Sequence, residues 1–324
     1  MATLLPELIF EQASRRPDDA ALVYRQTVLH YADLASQVRA AAQGLLQLGL
    51  KRSERVAIYL PKQFEAVVAL FAAASAGGVF VPINPLLKPE QVTHILRDCN
   101  VKVLVTASRR AERLKLDPAS CPDLRELVLV DPPAGSLADN LPQVLYWPDL
   151  LGAGSGPQPA RVIDLDMAAI LYTSGSTGKP KGVVLSHRNL LAGAYSVASY
   201  LANRPDDRLL AVLPFSFDYG LSQLTTAFVA GARAVLMDYL LARDVVTAVA
   251  RERITGLAAV PPMWVQLAQL DWPREAIESL RYFTNSGGAM PRATLDALRR
   301  RLPKTTPYLM YGLTEAFRST YLPP

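Results

Sequence analysis

The part of the sequence best equipped for chemistry is a run of hydroxyl, glycine and lysine residues that begins at Thr173 and ends near Lys181. Glycines let backbone N–H groups approach an oxyanion closely, hydroxyls add short hydrogen-bond donors, and lysines supply positive charge. Polyphosphate is the ligand that uses all three of these features. The run therefore predicts a phosphate-binding loop.

Two other interpretations of this run fit the residues less well. A Walker A loop needs glycine where Thr173 stands and opens directly into a helix. Here Pro180 follows Lys179, and the next helix starts later, with Ser186 as its predicted N-cap and Asn189 at its third position. A plain turn between strands has no need of paired lysines.

The elements around this loop alternate between strand and helix patterns, which predicts an α/β protein with largely parallel sheets. Residues 131–160 are rich in proline and glycine and lack a hydrophobic period, as is typical of a connector. We therefore expect two stacked sheet-and-helix lobes, the first at residues 1–150 and the second at 151–324. The predicted strands are Arg55–Leu60, Val79–Pro82, Val101–Val105, Leu127–Val130, Ala168–Tyr172, Arg208–Leu213, Ala232–Met237, Leu257–Val260, Leu280–Thr284 and Pro307–Met310. The predicted helices are Tyr31–Leu48, Phe64–Ala76, Pro89–Asp98, Arg188–Leu201, Leu221–Val229, Asp244–Arg253 and Pro291–Leu302.

Composition excludes several classes of protein. Of the 324 residues, 50% are hydrophobic and 19% are charged, which excludes a disordered chain. The net charge of +5 is mild, and no aromatic residues interleave with the basic clusters at Arg109-Arg110 and 299–301, so no nucleic-acid partner is expected. Cys99 and Cys121 lack the spacing of a metal site. There is no apolar run of ~18 residues and no recognisable signal peptide, so we expect a soluble, cytoplasmic protein without a transmembrane segment.

Six segments in order resemble the adenylate-forming superfamily, which includes acyl-CoA synthetases, luciferases and peptide-synthetase adenylation domains. The segments are Leu29–Leu34, Ala76–Pro85, Leu171–Gly182, Leu213–Gly220, Ser286–Pro291 and Tyr311–Glu315. Within this superfamily, Phe217–Leu221 and Tyr311–Ser319 are most similar to the AMP-forming acyl-CoA ligases associated with exosortase A systems.

The resemblance implies a two-step reaction that uses ATP and Mg²⁺. The carboxylate of a small-molecule acid attacks the α-phosphate of ATP and gives an acyl-adenylate and pyrophosphate. The thiol of coenzyme A, or of phosphopantetheine on a carrier protein, then displaces AMP. Positioning and preorganised donors would supply most of the acceleration.

The resemblance also assigns roles to individual residues of the nucleotide site. Thr314 would contact the α-phosphate, Glu315 would bind Mg²⁺ through a hard oxygen donor, and Tyr311 would stack on the adenine. Thr173 and Lys179 would join Thr314 and Glu315 as the catalytic residues. The β- and γ-phosphates would be held by Thr173, Ser174, Gly175, Ser176, Thr177, Gly178 and Lys179, with Lys181 as support, and the nucleotide would also contact Gly287, Gly288, Ala289 and Gly312.

The acid pocket implied by the resemblance leaves the substrate open. Asp218 matches the aspartate with which amino-acid-activating members hold an α-ammonium, and a buried carboxylate is costly without such a partner. Asp218 therefore either reaches solvent or backbone donors, or indicates an amino-bearing substrate. His187 is either a helix-entry residue or a catalytic one. The pocket residues are Phe217, Asp218, Tyr219, Gly220, Val260, Met263 and Asn285.

Members of the superfamily continue well beyond the position of Glu315, whereas this sequence ends at Pro324. We therefore expect an incomplete large domain, without part of a β-barrel subdomain and without the small C-terminal domain, and weak or no activity in this chain alone. Three hypotheses follow: the ATP- and acid-binding part of an AMP-forming acyl-CoA ligase, an amino-acid adenylating ligase that loads a carrier protein, or a non-catalytic fragment that binds ATP or an acyl-adenylate.

Overall fold

The computed structural model describes residues 2–133, 142–154, 158–173, 180–317 and 320–324. The chain divides into two units, each with its own sheet. Unit 1 comprises Met1–Pro17 and Tyr31–Leu191, and unit 2 comprises Asp18–His30 and Ala192–Pro324.

The strands and helices follow one another in the alternating order that the sequence predicts. The strands are β1 (Ala20–Tyr24), β2 (Thr27–His30), β3 (Arg55–Tyr59), β4 (Val79–Pro82), β5 (Val101–Thr106), β6 (Glu126–Leu129), β7 (Gln143–Tyr146), β8 (Met167–Thr173), β9 (Lys181–Ser186), β10 (Arg208–Ala211), β11 (Arg233–Leu236), β12 (Gly256–Ala259), β13 (Tyr282–Asn285), β14 (Thr306–Tyr311) and β15 (Thr320–Leu322). The helices are α1 (Glu7–Arg15), α2 (Tyr31–Gln47), α3 (Phe64–Ser75), α4 (Pro89–Asp98), α5 (Ser108–Leu114), α6 (Trp147–Leu151), α7 (His187–Tyr200), α8 (Asp218–Ala230), α9 (Ala242–Arg251), α10 (Pro261–Leu267), α11 (Arg274–Ser279) and α12 (Arg292–Arg301).

The sheet of unit 1 has the strand order β7-β6-β5-β3-β4-β8-β9, and every pair is parallel except β8 with β9. Its inner strands are short apolar runs, as expected where helices cover both faces of a parallel sheet. All four residues of β4 are buried, and α3 is apolar on nearly every face, with the run from Ala66 to Ala74 buried. Val79 and Val81 of β4 belong to an apolar core that also includes β8 through Ile170.

The sheet of unit 2 has the order β15-β14-β13-β12-β10-β11-β1-β2. Its six inner strands are parallel, and the edge strands β2 and β15 are antiparallel to their neighbours. Trp264 of α10 is fully buried against the ring of Phe283, with ring centroids 4.8 Å apart, and donates its indole N–H to the carbonyls of Ala259 and Thr284. The predicted α/β fold with largely parallel sheets is confirmed.

The predicted N-terminus of α7 is also confirmed. The hydroxyl of Ser186 accepts a hydrogen bond from the backbone N–H of Asn189 at 3.2 Å, and the Asn189 side-chain oxygen accepts the backbone N–H of Ser186 at 3.0 Å. This reciprocal pair satisfies two backbone donors that a helix start leaves without intrahelical partners. Within the described part of the chain, no helix is both long and apolar enough to cross a membrane.

The structure divides the chain differently from the predicted lobes at 1–150 and 151–324. The Pro- and Gly-rich residues 131–160 fall inside unit 1, where β7 and α6 form. Strand β8 then returns to the first sheet, with Ala169 opposite Phe80 of β4, and β1 joins the second sheet, with Leu22 opposite Ala234 of β11. Strand pairing, not position along the chain, decides which sheet a segment completes, because a buried strand must satisfy its backbone hydrogen bonds.

Candidate functional site

The predicted phosphate loop connects β8 and β9 of unit 1. These strands are antiparallel and remain paired up to Thr173 and Lys181, the two residues that flank the connection. The preceding pair is Tyr172 with Gly182. The predicted phosphate ligands Ser174, Gly175, Ser176, Thr177, Gly178 and Lys179 lie outside the described residues.

The predicted acid-pocket and adenine segments lie at one edge of the sheet in unit 2. Neighbouring strands β10, β12, β13 and β14 are parallel, so their carboxyl ends lie side by side, where open α/β sheets bind ligands. Phe217 follows β10, Val260 follows β12, and Asn285 and Tyr311 are the last residues of β13 and β14. The topology thus places the predicted acid-pocket and adenine segments along one edge.

The side chains at this edge pack against the glycine segment. A Cβ at Gly287 would lie 3.4 Å from Val260 Cγ1 and 3.5 Å from Phe217 Cζ, so Phe217 and Val260 both border Gly287. The Phe217 ring meets that of Tyr219 edge-on, with centroids 6.1 Å apart. Tyr219 is buried, and its hydroxyl hydrogen-bonds to that of Thr284. These contacts bring together predicted residues that are up to 70 positions apart in the chain.

Gly220 and Met263 of the predicted acid pocket lie in the interior of unit 2. Gly220 is buried in α8 and packs directly against the carbonyl oxygen of Pro214, which leaves no space for a side chain. Met263 is 4% exposed and belongs to the apolar core of the unit with Trp264. Both residues therefore lie in the core of unit 2 and not at its surface.

Asp218 is buried at the first position of α8, with 2% of its surface exposed. The Thr314 hydroxyl lies 3.4 Å from Asp218 Oδ1 and donates to it, and Thr314 is itself 9% exposed. The amino end of a helix also stabilises a carboxylate, because its free N–H groups carry partial positive charge. The solvent-facing alternative for Asp218 is therefore wrong. The aspartate meets a hydroxyl donor and a helix terminus instead.

Two buried polar atoms beside the glycine segment lack partners among the described residues. Asn285 donates its side-chain N–H to the carbonyl of Gly288 at 2.9 Å, which leaves its Oδ1 without a hydrogen bond. The hydroxyl of Ser286 is likewise without one, although Ser286 is 1% exposed. A buried polar group that lacks a partner costs roughly 1–3 kcal/mol, and a ligand can recover that cost. Sequence reasoning did not select Ser286, although its place directly before two glycines was a usable signal.

The predicted adenine and magnesium residues are accessible. Tyr311 is 61% exposed, so its ring is free to stack on a base. Gly287, Gly288, Ala289 and Glu315 are exposed, and Gly312 is half-buried. No cluster of three or more histidine, cysteine or acidic residues with metal-binding geometry occurs in the ranges that the structure describes. Glu315 fits Mg²⁺ nevertheless, because that ion keeps several waters and is bound by one or two carboxylates together with substrate phosphates.

His187 is a structural residue of unit 1. Its ring is 1% exposed at the start of α7, and Nδ1 accepts the backbone N–H of Leu5 at 3.0 Å. Burial lowers the pKa of the imidazole from 6.5 to about 4, in spite of the nearby carboxylates of Asp166, Glu7 and Asp164. The ring is therefore neutral at pH 7, and its burial and its hydrogen bond to the Leu5 backbone support the helix-entry role over the catalytic one.

Comparison with known proteins supports the resemblance that the sequence motifs indicate. The profile of the family described as AMP-binding enzyme matches residues 9–323. The 4-coumarate–CoA ligase 2 of Oryza sativa subsp. japonica is 31% identical, with 96% of this chain and 57% of the ligase aligned. Bacitracin synthase 3 of Bacillus licheniformis is 28% identical, with 95% of this chain and 4% of the synthase aligned. The chain thus spans little more than half the length of the first of these relatives and a small part of the second.

Solved structures support the same relationship. VinN in complex with L-aspartate superposes with a TM-score of 0.84 at 28% identity, over 99% of this chain and 78% of VinN. The inhibitor-bound N-terminal domain of FACL13 from Mycobacterium tuberculosis gives a TM-score of 0.81 at 27% identity, over 97% of this chain and 77% of that domain. The family match over nearly all of the chain, together with these superpositions, shows that the chain belongs to the AMP-binding enzymes.

Proposed function

We propose that the protein is an AMP-forming ligase that activates a small carboxylic acid with ATP and transfers the acyl group to coenzyme A. This chain would be the part that binds ATP and the acid. The hydrogen bond between Thr314 and Asp218 is the observation that carries the proposal. It joins the segment assigned to the α-phosphate with the segment assigned to the acid, so the two reacting groups would meet at this point.

In the first step, the main task of the protein is to hold two anions in line. A carboxylate oxygen of the acid forms a bond with the α-phosphorus while the bond from that phosphorus to pyrophosphate breaks. Thr314 would donate to the α-phosphate and Tyr311 would stack on the adenine. Residues 173–179 and Lys181 would hold the departing pyrophosphate. Such fixed donors cost little reorganisation during the reaction.

Glu315 would be the protein ligand of Mg²⁺ that accompanies ATP. The bound ion would neutralise part of the phosphate charge. Asn285 Oδ1 and the Ser286 hydroxyl are both buried without partners in the described chain, and they would meet polar atoms of the acyl-adenylate. The nucleotide would lie along Gly287, Gly288, Ala289 and Gly312. The acyl group would be enclosed by Phe217, Val260 and the residues behind them.

Two observations favour coenzyme A as the acceptor. The rice relative aligned over most of this chain is named as a CoA ligase. In addition, a shallow groove of about 400 Å³ in unit 1 is lined by Arg109, Arg110 and Arg113 of α5. Coenzyme A carries three phosphate groups, and arginine is the side chain best suited to bind them.

A specific observation also favours a second candidate, an amino-acid adenylating ligase that loads a carrier protein. Asp218 is buried at the acid segment, and a substrate ammonium would pair with its carboxylate. Peptide synthetases such as bacitracin synthase 3 are among the relatives, and VinN was crystallised with L-aspartate. The helix amino end and Thr314 already stabilise this carboxylate, so an ammonium is not required for its burial.

A thermal-shift titration separates the two candidates. The chain is heated with magnesium and a non-hydrolysable adenylate mimic that carries either a medium fatty acyl or an aminoacyl group. A ligand that binds only the folded state stabilises it by ~2.7 kcal/mol at 100 times its Kd. A shift with the fatty mimic alone supports the CoA ligase, and a shift with the aminoacyl mimic alone supports carrier loading. No shift with either contradicts both.

The same titration with Asp218→Asn tests the role of the carboxylate. If Asp218 binds an ammonium, this variant loses the shift with the aminoacyl mimic and keeps any shift with the fatty mimic. The exposed Asp206→Asn is the matched control, since its side chain is 74% exposed on a turn before β10. Pyrophosphate release from ATP in response to an acid would show that this chain is also catalytic.

A further inference from the structure

Helix α4 contacts both flanks of the predicted phosphate loop. The hydroxyl of Tyr172, one residue before Thr173, donates to Asp98 Oδ2 at 2.6 Å. On the other flank, His94 Nε2 donates to the carbonyl of Pro180 at 3.3 Å. His94 and Asp98 are four residues apart and therefore lie on the same face of α4. One helix face thus binds the last part of β8 and the residue directly before β9.

The position of the Tyr172 ring depends on the residue opposite it in the neighbouring strand. Gly182 pairs with Tyr172 across the two strands, and a Cβ at Gly182 would lie 3.2 Å from Tyr172 Cζ and 2.6 Å from Ile170 Cγ2. Only glycine leaves room for the ring to lie across this position. Burial and the hydrogen bond to Asp98 both raise the pKa of the Tyr172 phenol, so it remains a donor at neutral pH.

Helix α4 is itself held firmly. Its buried residues Val92, Ile95 and Leu96 belong to the apolar core of unit 1, and Ile170 of β8 belongs to the same core. The side-chain oxygen of Gln91 accepts the backbone N–H of Lys88 at 3.0 Å, which satisfies one backbone donor at the start of the helix. A helix packed in this way can serve as a fixed support for the strands beside it.

We infer that His94 and Asp98 are positioning residues for ATP, and we name them with Tyr172 and Pro180 the α4 clamp. The clamp fixes Tyr172 and Pro180, described residues on either side of residues 174–179, to which the proposed function assigns the β- and γ-phosphates. This inference rests on the proposed function, in which these residues hold pyrophosphate. Because AMP lacks the β- and γ-phosphates, the clamp affects ATP affinity and leaves AMP affinity unchanged.

The test compares dissociation constants of ATP and AMP by isothermal titration calorimetry for the whole 324-residue chain. Tyr172→Phe and His94→Ala each remove one anchor while the core stays intact. Because a hydrogen bond of this kind contributes roughly fivefold to an equilibrium, each variant is expected to weaken ATP binding about 5-fold and the double variant about 25-fold. Asp98→Ala added to Tyr172→Phe should have no further effect, since both remove the same bond.

Conservative variants distinguish the loss of a hydrogen bond in the clamp from a disturbance of folding caused by a truncated side chain. Asp98→Asn retains an oxygen acceptor for the phenol, and His94→Gln retains a donor for Pro180, so both should restore most of the ATP affinity. Glu90→Gln, an exposed change in the first turn of α4, is the matched control. Melting temperatures are recorded for each variant, because a purely structural role would lower stability without changing the ratio of ATP to AMP affinity.

Two unfavourable outcomes are distinguishable. If the unchanged chain prefers ATP over AMP and every clamp variant keeps that preference, the clamp has no positioning role and the inference is wrong, while the proposed function stands. If the unchanged chain binds ATP no better than AMP, the assignment of residues 174–179 to the phosphates fails, and the clamp fails with it.

Discussion

Replacing His187 with asparagine is expected to remove a pH-dependent part of the stability of this protein. The imidazole is buried, and its Nδ1 accepts the backbone N–H of Leu5. Asparagine places an oxygen near the position of Nδ1, so it can keep that hydrogen bond, but it does not titrate. The carboxylates that face the ring, those of Glu7, Asp164 and Asp166, stay in place.

The direction of the effect follows from the pKa of His187 in the two states. Burial lowers this pKa to about 4 in the folded protein, against 6.5 in an unfolded chain. Between these values the unfolded chain binds a proton that the folded protein does not. The contribution of the neutral ring is therefore fully present above pH 6.5 and is lost as the pH falls towards 4. The unfolding free energy should drop by about 2–3 kcal/mol between pH 7.5 and pH 4.5.

Urea denaturation at a series of pH values, followed by tryptophan fluorescence and circular dichroism, measures this loss. Carboxylates also titrate in this range, so the informative quantity is the difference between the parent protein and His187→Asn at each pH. That difference should shrink by about 2–3 kcal/mol as the pH falls from 7.5 to 4.5. His30→Asn, at an exposed position of β2, is the control and should follow the parent. Parallel curves for the parent and His187→Asn would refute the assignment of a buried, neutral imidazole.

Three further predictions concern stability and reactivity. Gly220→Ala should destabilise unit 2 strongly or prevent its folding, because a Cβ would overlap the backbone oxygen of Pro214; soluble yield and melting temperature measure this. Asp207→Ala should lower the unfolding free energy by about 3–5 kcal/mol, because it leaves Arg281, now 2.6 Å from the carboxylate, without its buried partner. Cys99 should resist Ellman's reagent at pH 8 until urea unfolds the chain, because burial raises the pKa of the thiol to about 11.

Local signals in the sequence predicted many of the elements well. Helix α4 begins at Pro89 and ends at Asp98 as predicted, because proline suits the first helical turn and Asn100 adopts a left-handed conformation just beyond the end. The capping pair of Ser186 and Asn189 is likewise a local signal for a helix end. Each of these features depends on residues a few positions apart, so the sequence contains all the information that is needed.

Other features depend on pairing between distant segments and were missed. Strand β9 has a largely exposed pattern, with Val184 54% exposed, and its position is set by pairing with β8. The membership of residues 18–30 in unit 2 likewise depends on β11, about 200 positions away. The environment of Asp218 could not be read from the sequence either, because Thr314 comes from the far end of the chain. The placement of residues 174–179 stays a prediction.

Strand β13 shows how one element can separate stability from function. At its amino end, Arg281 precedes the strand and donates to Asp207, which also accepts hydrogen bonds from Thr255, Asn203 and the backbone of Arg204. At its carboxyl end, the strand stops at Asn285, where one buried side-chain oxygen lacks a partner within the described residues.

The satisfied end of β13 stabilises the fold, and the unsatisfied end keeps hydrogen-bonding capacity for a ligand. A protein selected for stability alone would pair or remove Asn285 Oδ1, since a buried polar group without a partner costs roughly 1–3 kcal/mol. Its retention beside Ser286, whose hydroxyl is also unpaired in the described structure, is therefore better explained by binding than by folding. Substitutions at Asp207 should accordingly change stability at constant ligand affinity, whereas Asn285→Leu should preserve stability and weaken binding of an acyl-adenylate mimic.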